Sequence, residues 1–242
     1  MGRLLDLLYP PRCPVCDGIR PVGEPVCHPE CRKKLTPVGD AACMRCGKPV
    51  ADDSAELCYD CAGRESAFSR GVSAYVYEGE LRESMVRFKF RGRAEYGTWY
   101  AQEILRSHRE TLAKWRADAV IPVPIHRKKF RERGYNQAEL VADELAGELG
   151  LPLYRDYLRR NRYTVPQKEL SNRERVRNLM RAMEPGSDAA MLAERKMTPE
   201  RVILVDDIYT TGSTLEACSR VLKAAGVAGI FIVTVCIGSG YT

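Results

Sequence analysis

The sequence predicts an α/β fold: a mostly parallel sheet with flanking helices, preceded by a small cysteine-rich segment. Three observations predict it. Apolar runs at 119–124 and 202–205 are each followed by a polar loop and then by a helical stripe, which is how parallel strands alternate with crossover helices. A third apolar run, 230–237, supplies a further buried strand. Eight of the ten cysteines lie between Cys13 and Cys61, outside that pattern.

The chain opens MGRLLDLLYPPRCP, too short and too broken by Asp6 and two prolines to be a signal peptide. No apolar run reaches the length of a membrane span. The expectation is a cytoplasmic protein with no membrane insertion. The cysteines then come as close pairs: Cys13/Cys16, Cys27/Cys31, Cys43/Cys46 and Cys58/Cys61. Such pairs aim two thiolates at one metal, and two pairs complete a tetrahedral site. A disulfide framework would need an oxidising compartment, so zinc is preferred. Pairing in order assigns Cys13, Cys16, Cys27 and Cys31 to one structural ion and Cys43, Cys46, Cys58 and Cys61 to a second. Successive pairs are almost evenly spaced along the chain, which leaves an interleaved pairing open. His28 is read as a bystander. The head is expected to span 1–66 and the main domain 67–242.

In the main domain, 72–77 suits a strand. Leu81, Met85 and Phe88 then recur at helical spacing, and a second helix covers 99–115. After the strand at 119–124 comes HRKKFRERGYNQ, with five Lys/Arg between 127 and 133. A helix starts near Asn136, with Glu139 in capping-box register and Gly150 beyond its end. Residues 159–178 form a long, arginine-rich stretch broken by Val165-Pro166, with a second capping box at Ser171/Glu174. Charge follows these blocks. Residues 82–134 hold 14 Lys/Arg against 6 Asp/Glu, and 155–181 hold 9 against 3, within a chain of net +6. Two basic blocks on an otherwise acidic chain point to polyanion contact, pyrophosphate or nucleic acid. Tyr135 and Tyr163 stand beside them as candidates for stacking on bases.

The most informative stretch is VILVDDIYTTGST, 202–214. A buried strand leads to Asp206 and Asp207, then to the hydroxyl-rich loop Thr210, Thr211, Gly212, Ser213 and Thr214, then to a helix ending near Gly226. Free amides of a helix's first turn and its positive dipole end favour an anion, and Gly212 lets the backbone approach it. Two carboxylates repel phosphate, so they suit sugar hydroxyls, directly or near a bound Mg²⁺. Neither G-x-x-x-x-G-K-[ST] nor G-x-G-x-x-G occurs, which excludes the common ATP-binding and dinucleotide loops.

This stretch resembles the phosphoribosyl-pyrophosphate loop of type I phosphoribosyltransferases. With PPRCPVC, CMRCGKP, FKFRGR, IPVPIHRKKFRERGYNQAELVADELA and TVPQKELSNRERVRNL, the chain resembles the ComF family of bacterial competence proteins over nearly its whole length. The resemblance implies a zinc-ribbon head on a phosphoribosyltransferase-like domain. It also implies a role in DNA uptake for natural transformation and a phosphoribosyltransferase activity that uses phosphoribosyl pyrophosphate with Mg²⁺. In that family Asp206 and Asp207 would hold the ribose, Thr210–Thr214 the 5′-phosphate, and Arg133 the pyrophosphate. Arg159, Arg162, Lys168 and Arg173 would belong to a flexible catalytic loop. Implied partners are single-stranded DNA and a DNA-uptake helicase or recombination protein. A different class of function, a non-catalytic adaptor that holds single-stranded DNA, uses the same fold.

Overall fold

The computed structural model describes residues 10–20, 23, 25–51, 54–162 and 172–239. In chain order the elements are α1 (Pro29–Arg32), α2 (Tyr59–Ala62), β1 (Arg70–Val76), α3 (Gly79–Phe90), α4 (Tyr96–Trp115), β2 (Ala119–Pro122), α5 (Arg127–Arg133), α6 (Gln137–Leu149), β3 (Leu158–Arg160), α7 (Asn172–Met180), β4 (Met183–Pro185), α8 (Ser187–Glu194), β5 (Arg201–Tyr209), α9 (Ser213–Ala224) and β6 (Gly229–Ile237).

Four strands form one sheet in the order β1-β6-β5-β2, and all three pairings are parallel. The sheet is covered on both faces, which is why its strands read as unbroken apolar runs rather than alternating ones. Alternation along β5 still sorts the side chains. Ile203 and Val205 join the cluster formed by α3, α4 and α6, whereas Val202 and Leu204 join the cluster formed with α9 through Leu215, Cys218 and Leu222. The helix ends follow the capping logic of the sequence. Asn136 accepts from the amide of Ala138 at 3.2 Å, and Gly150 ends α6 in the left-handed region at φ 66°. Glu139 does not complete the box; it pairs with Arg155 at 3.3 Å instead. Ser171 lies outside the described residues.

The cysteine-rich head is built into these cores. Cys13, Cys27 and Cys31 belong to the cluster on the α4 side, and Cys43, Cys46, Cys58 and Cys61 to the cluster on the α9 side. Polar ties run across the same boundary. Arg93 pairs with Asp17 at 2.8 Å, Arg32 with the buried carboxylate of Glu103 at 2.7 Å, and the hydroxyl of Ser66 donates to Glu216 of α9 at 3.0 Å. Among the described residues no helix is long and apolar enough to cross a membrane.

Two differences from the sequence expectation shape the site. The strand expected over 202–205 runs on to Tyr209, so the aspartates lie inside it. The stretch from Arg159 does not begin as a loop: β3 and β4 pair antiparallel, with Arg160 opposite Met183, and form a short ribbon at its base.

Candidate functional site

The site is created by unequal strand lengths. β2 ends at Pro122, opposite Val205, because the prolines at 122 and 124 cannot donate to a ladder. Beyond that point β5 is paired, among the described residues, only on its β6 side, with Asp206 opposite Thr234 and Ile208 opposite Cys236. The two aspartates therefore stand at the carboxyl end of the sheet, where ligands bind in open α/β folds. Being adjacent in a strand, they face opposite ways. Asp207 turns to the α3 side and pairs with Lys89 at 3.0 Å. Asp206 lies on the α9 side, where its charge helps hold the Cys218 thiol protonated, after burial.

Asp206 is partly exposed as a residue, yet its carboxyl is desolvated. Burial first, and the neighbouring Asp207 charge second, push it up to about 7. The amide of Asp207 donates to Asp206 Oδ1 at 2.8 Å and offsets part of that cost. A desolvated carboxylate beside a second one is costly to keep in a resting protein, and such groups concentrate where a ligand is bound.

Next along the chain, the backbone from Thr210 to Leu215 curls around a small cavity with Asp206 on its rim. Gly212 takes φ 73° and caps α9, and a Cβ there would collide with the Tyr209 hydroxyl, so only glycine fits. Thr211 Oγ1 and Ser213 Oγ are 2.8 Å apart; Thr210 is exposed and Thr214 half-buried. The loop is held from the head. Arg64 donates to the Tyr209 hydroxyl at 2.8 Å and to the carbonyl of Thr211 at 3.2 Å.

On the other side of Asp207 is a group of cations from three elements: Lys89 from α3, Lys129 and Arg133 from α5, and Arg160 from β3. Their mutual closeness is visible in Lys129, whose ammonium is lowered by burial and then by Arg160, Arg133 and Lys89, with Asp207 acting in the opposite sense. Arg133 bonds Gln137 at 2.8 Å and lies 4.9 Å over the Phe90 ring. Of the residues expected here, Arg133 stands in this group and Arg159 does not. The Arg159 guanidinium turns away to Asp156, 2.7 Å from Nε, and strand alternation points Arg160 inward instead. Arg162 and Arg173 are both exposed, Arg173 on α7, which packs along α9. Lys168 and Tyr163 lie outside the described residues. Tyr135 is no stacking platform, because its hydroxyl donates to the carbonyl of Phe88 and its ring packs on Phe88 at 6.0 Å. Exposed aromatic surface is provided by Phe90 and Phe130, 64% and 48% exposed. Alternation in a two-arginine strand was the one signal able to identify Arg160 beforehand; Lys89 lay within the FKFRGR motif without a role assigned to it, and nothing local marks Arg64.

The head offers two four-donor clusters that fit structural zinc. In the second, the sulfurs of Cys43, Cys46, Cys58 and Cys61 all lie within 4.8 Å of one another. In the first, the four atoms that meet this spacing are those of Cys13, Cys16, His28 and Cys31. Cys27, expected as a ligand, stands beside this set, with its sulfur 3.9 Å from that of Cys13.

Residues 4–62 match the double zinc ribbon domain family, and residues 133–241 match the phosphoribosyl transferase domain family. Competence protein ComFC of Bacillus subtilis is 30% identical over 223 residues, covering 87% of this chain and 84% of that protein. Competence protein F of Haemophilus influenzae is 29% identical over 219 residues, covering 89% and 92%. DNA utilization protein YhgH of Salmonella typhimurium is 30% identical over 198 residues, covering 80% and 83%.

Proposed function

The chain belongs to the competence protein F/ComFC family, with a double zinc ribbon and a phosphoribosyltransferase domain, and from that premise we propose that it binds phosphoribosyl pyrophosphate with Mg²⁺ and acts in DNA uptake. The observation that carries this reading is a sequence of three surfaces along β5: an amide-rich loop, a pair of carboxylates, and a group of cations. A ribose with phosphate groups at both ends needs those three surfaces in that order. Thr210–Thr214 takes the 5′-phosphate, Asp206 and Asp207 accept from the ribose hydroxyls, and Lys89, Lys129, Arg133 and Arg160 receive the pyrophosphate. The carboxylates are also the hard oxygen donors that suit Mg²⁺, which when bound neutralises charge on the pyrophosphate.

As a transferase, the protein assists cleavage of the bond between C1 of the ribose and pyrophosphate, and an acceptor then bonds to C1. Charge builds on the leaving oxygen, so prepositioned cations stabilise that step without any protein nucleophile. Arg162, Lys168 and Arg173 belong to the segment between β3 and β4 that would cover the ligand, and Arg159 braces its base.

Lys89 gives a direct test. Its present partner is Asp207, and it belongs to the cation group assigned to the pyrophosphate. A hydrogen bond to a charged group contributes roughly 1.5–3 kcal/mol, so Lys89→Ala should weaken phosphoribosyl-pyrophosphate binding by about tenfold or more, measured by titration calorimetry. An unchanged affinity would reduce Lys89 to an internal counter-ion.

The adaptor reading is favoured by a separate observation: Phe90 and Phe130 are exposed beside Arg133 and the basic face of α5, as in platforms where single-stranded bases stack. Single-stranded DNA should therefore bind, with affinity falling steeply with salt. Each Lys or Arg removed from 127–133 should lower the salt slope by roughly 0.7. Because Arg133 serves both ligands, saturating phosphoribosyl pyrophosphate should displace the DNA. Binding of both without competition would separate the DNA surface from the site, and no binding at low salt would end the DNA reading. Where DNA does bind, a DNA-uptake helicase or recombination protein would be the partner that receives the strand.

A further inference from the structure

The head is one small unit built twice, the first copy starting at Arg12 and the second at Ala42. Short bridges pair Arg12 with Ile19 and Ala42 with Pro49. The amide of Cys13 donates to the carbonyl of Gly18 as that of Cys43 does to Lys48, at 2.9 and 2.8 Å. Asp17 donates to Cys13 as Gly47 does to Cys43, at the same two distances. Asp17 and Gly47, the residues that follow the second cysteine of each first pair, both adopt left-handed backbone, at φ 60° and 76°. The one-turn helices keep the same offset at both ends, Pro29 of α1 matching Tyr59 of α2 and Arg32 matching Ala62. In this register Cys13, Cys16 and Cys31 fall on Cys43, Cys46 and Cys61. Cys58 precedes α2, and its carbonyl accepts from Cys61 and Ala62. It falls on His28, which precedes α1 and whose carbonyl accepts from Cys31 and Arg32. Cys27 falls on Leu57.

The side chains agree with the register. His28 Nδ1 lies 3.5 Å from Cys16 Sγ and 3.8 Å from Cys31 Sγ. A tetrahedron with zinc–sulfur bonds of ~2.3 Å has edges of about 3.8 Å. Cys27 also has one such edge, 3.9 Å to Cys13, so distance alone leaves five donors for four positions. The repeat decides between them. Cys27 occupies the place of a leucine, is 2% exposed, belongs to the apolar cluster on the α4 side, and directs its sulfur to the carbonyl of His28. A buried free cysteine packs as a small apolar residue.

We infer that the first zinc ion is held by Cys13, Cys16, His28 and Cys31, and that Cys27 is a packing thiol outside the coordination shell. The two sites are then unlike. Three thiolates and a neutral imidazole leave −1 on the first zinc centre, whereas four thiolates leave −2 on the second.

This rests on the double-zinc-ribbon reading, and cadmium-113 NMR of the full chain, exchanged with the isotope, tests the two separately. Metal analysis first counts the ions; a count near zero overturns both. With two ions bound, the spectrum should show one resonance at the all-sulfur position and a second at lower frequency, shifted by its nitrogen donor. His28→Cys should move the second resonance to the all-sulfur position, and Cys27→Ser should leave both where they are. Two all-sulfur resonances in the unaltered protein, or loss of the first site's resonance in Cys27→Ser, would overturn the assignment while leaving the zinc ribbons in place.

Discussion

Stripping zinc from this protein should unfold the head and disable the β5 site together. A structural ion contributes roughly 10–16 kcal/mol to the folding of a small cysteine-rich segment, more than the whole net stability of a typical domain. Within the head itself little else is regular, since its two one-turn helices are too short to be stable alone. The damage should spread, because seven of the eight cysteines belong to the two clusters that cover the faces of the sheet. Arg64, which grips the loop at Tyr209 and Thr211, would also lose its anchor in the head. Elemental analysis of replete protein should return about two zinc ions per chain, one for each four-donor cluster. Titration with a chelator should then abolish phosphoribosyl-pyrophosphate binding in step with loss of the head's protection from protease. Zinc-free protein that still binds the ligand normally would separate the head from the site.

The second large effect is at the aspartate pair. Replacing Asp206 and Asp207 with Asn keeps their size and removes the charged acceptors. Charge-assisted hydrogen bonds of roughly 1.5–3 kcal/mol each are lost, so affinity for phosphoribosyl pyrophosphate should fall by at least about tenfold, and by about a hundredfold or more where both bonds are made. Stability should move the other way. The Asp206 carboxyl is raised in the fold above its unfolded value of 3.8, to about 7, so the protein takes up a proton there on folding. That stabilisation is complete below about pH 4 and is lost as pH rises to about 7. Above that range the buried charge is a net cost, which Asp206→Asn removes. The single variant should therefore melt at the same or a higher temperature at pH 8 while binding less ligand. A variant that lost stability and kept its affinity would make the pair a structural device.

The parts of this molecule legible in the sequence were those encoded by neighbouring residues. The run from Val202 to Thr214 announced strand, acids, loop and helix because each follows the last along the chain. The helix from Gln137 was marked by its own cap at Asn136 and its stop at Gly150. What escaped depended on partners distant in sequence. Strands as short as β3 and β4 carry too little periodicity to be seen, so Arg159 and Arg160 looked alike until the ribbon gave them opposite directions. Tyr135 resembled a stacking residue until Phe88 was found against it. The choice between Cys27 and His28 depended on laying one half of the head over the other rather than on the identity of either residue.

The strand order has a consequence for how the chain is made. The two central strands, β5 and β6, are the last of the sheet to be synthesised, and the two edges, β1 and β2, come first. A ribosome moving from the N-terminus therefore releases a metal-binding head and two apolar strands whose inner edges have no partner until Arg201 and its successors emerge, while their outer edges meet the short segments 36–38 and 152–154. At roughly 5–20 residues per second, the wait from Pro122 to Tyr209 lasts several seconds. During it β1 and β2 are open templates for pairing with other chains. The head, whose metal donors all lie between Cys13 and Cys61, is synthesised before β1 and can shield one edge of it, through the contacts of Thr36 and Val38 with Val76 and Ala74. Zinc supply during translation would then govern yield as well as stability, with scarcity producing aggregates of nascent chains rather than a soluble, inactive product.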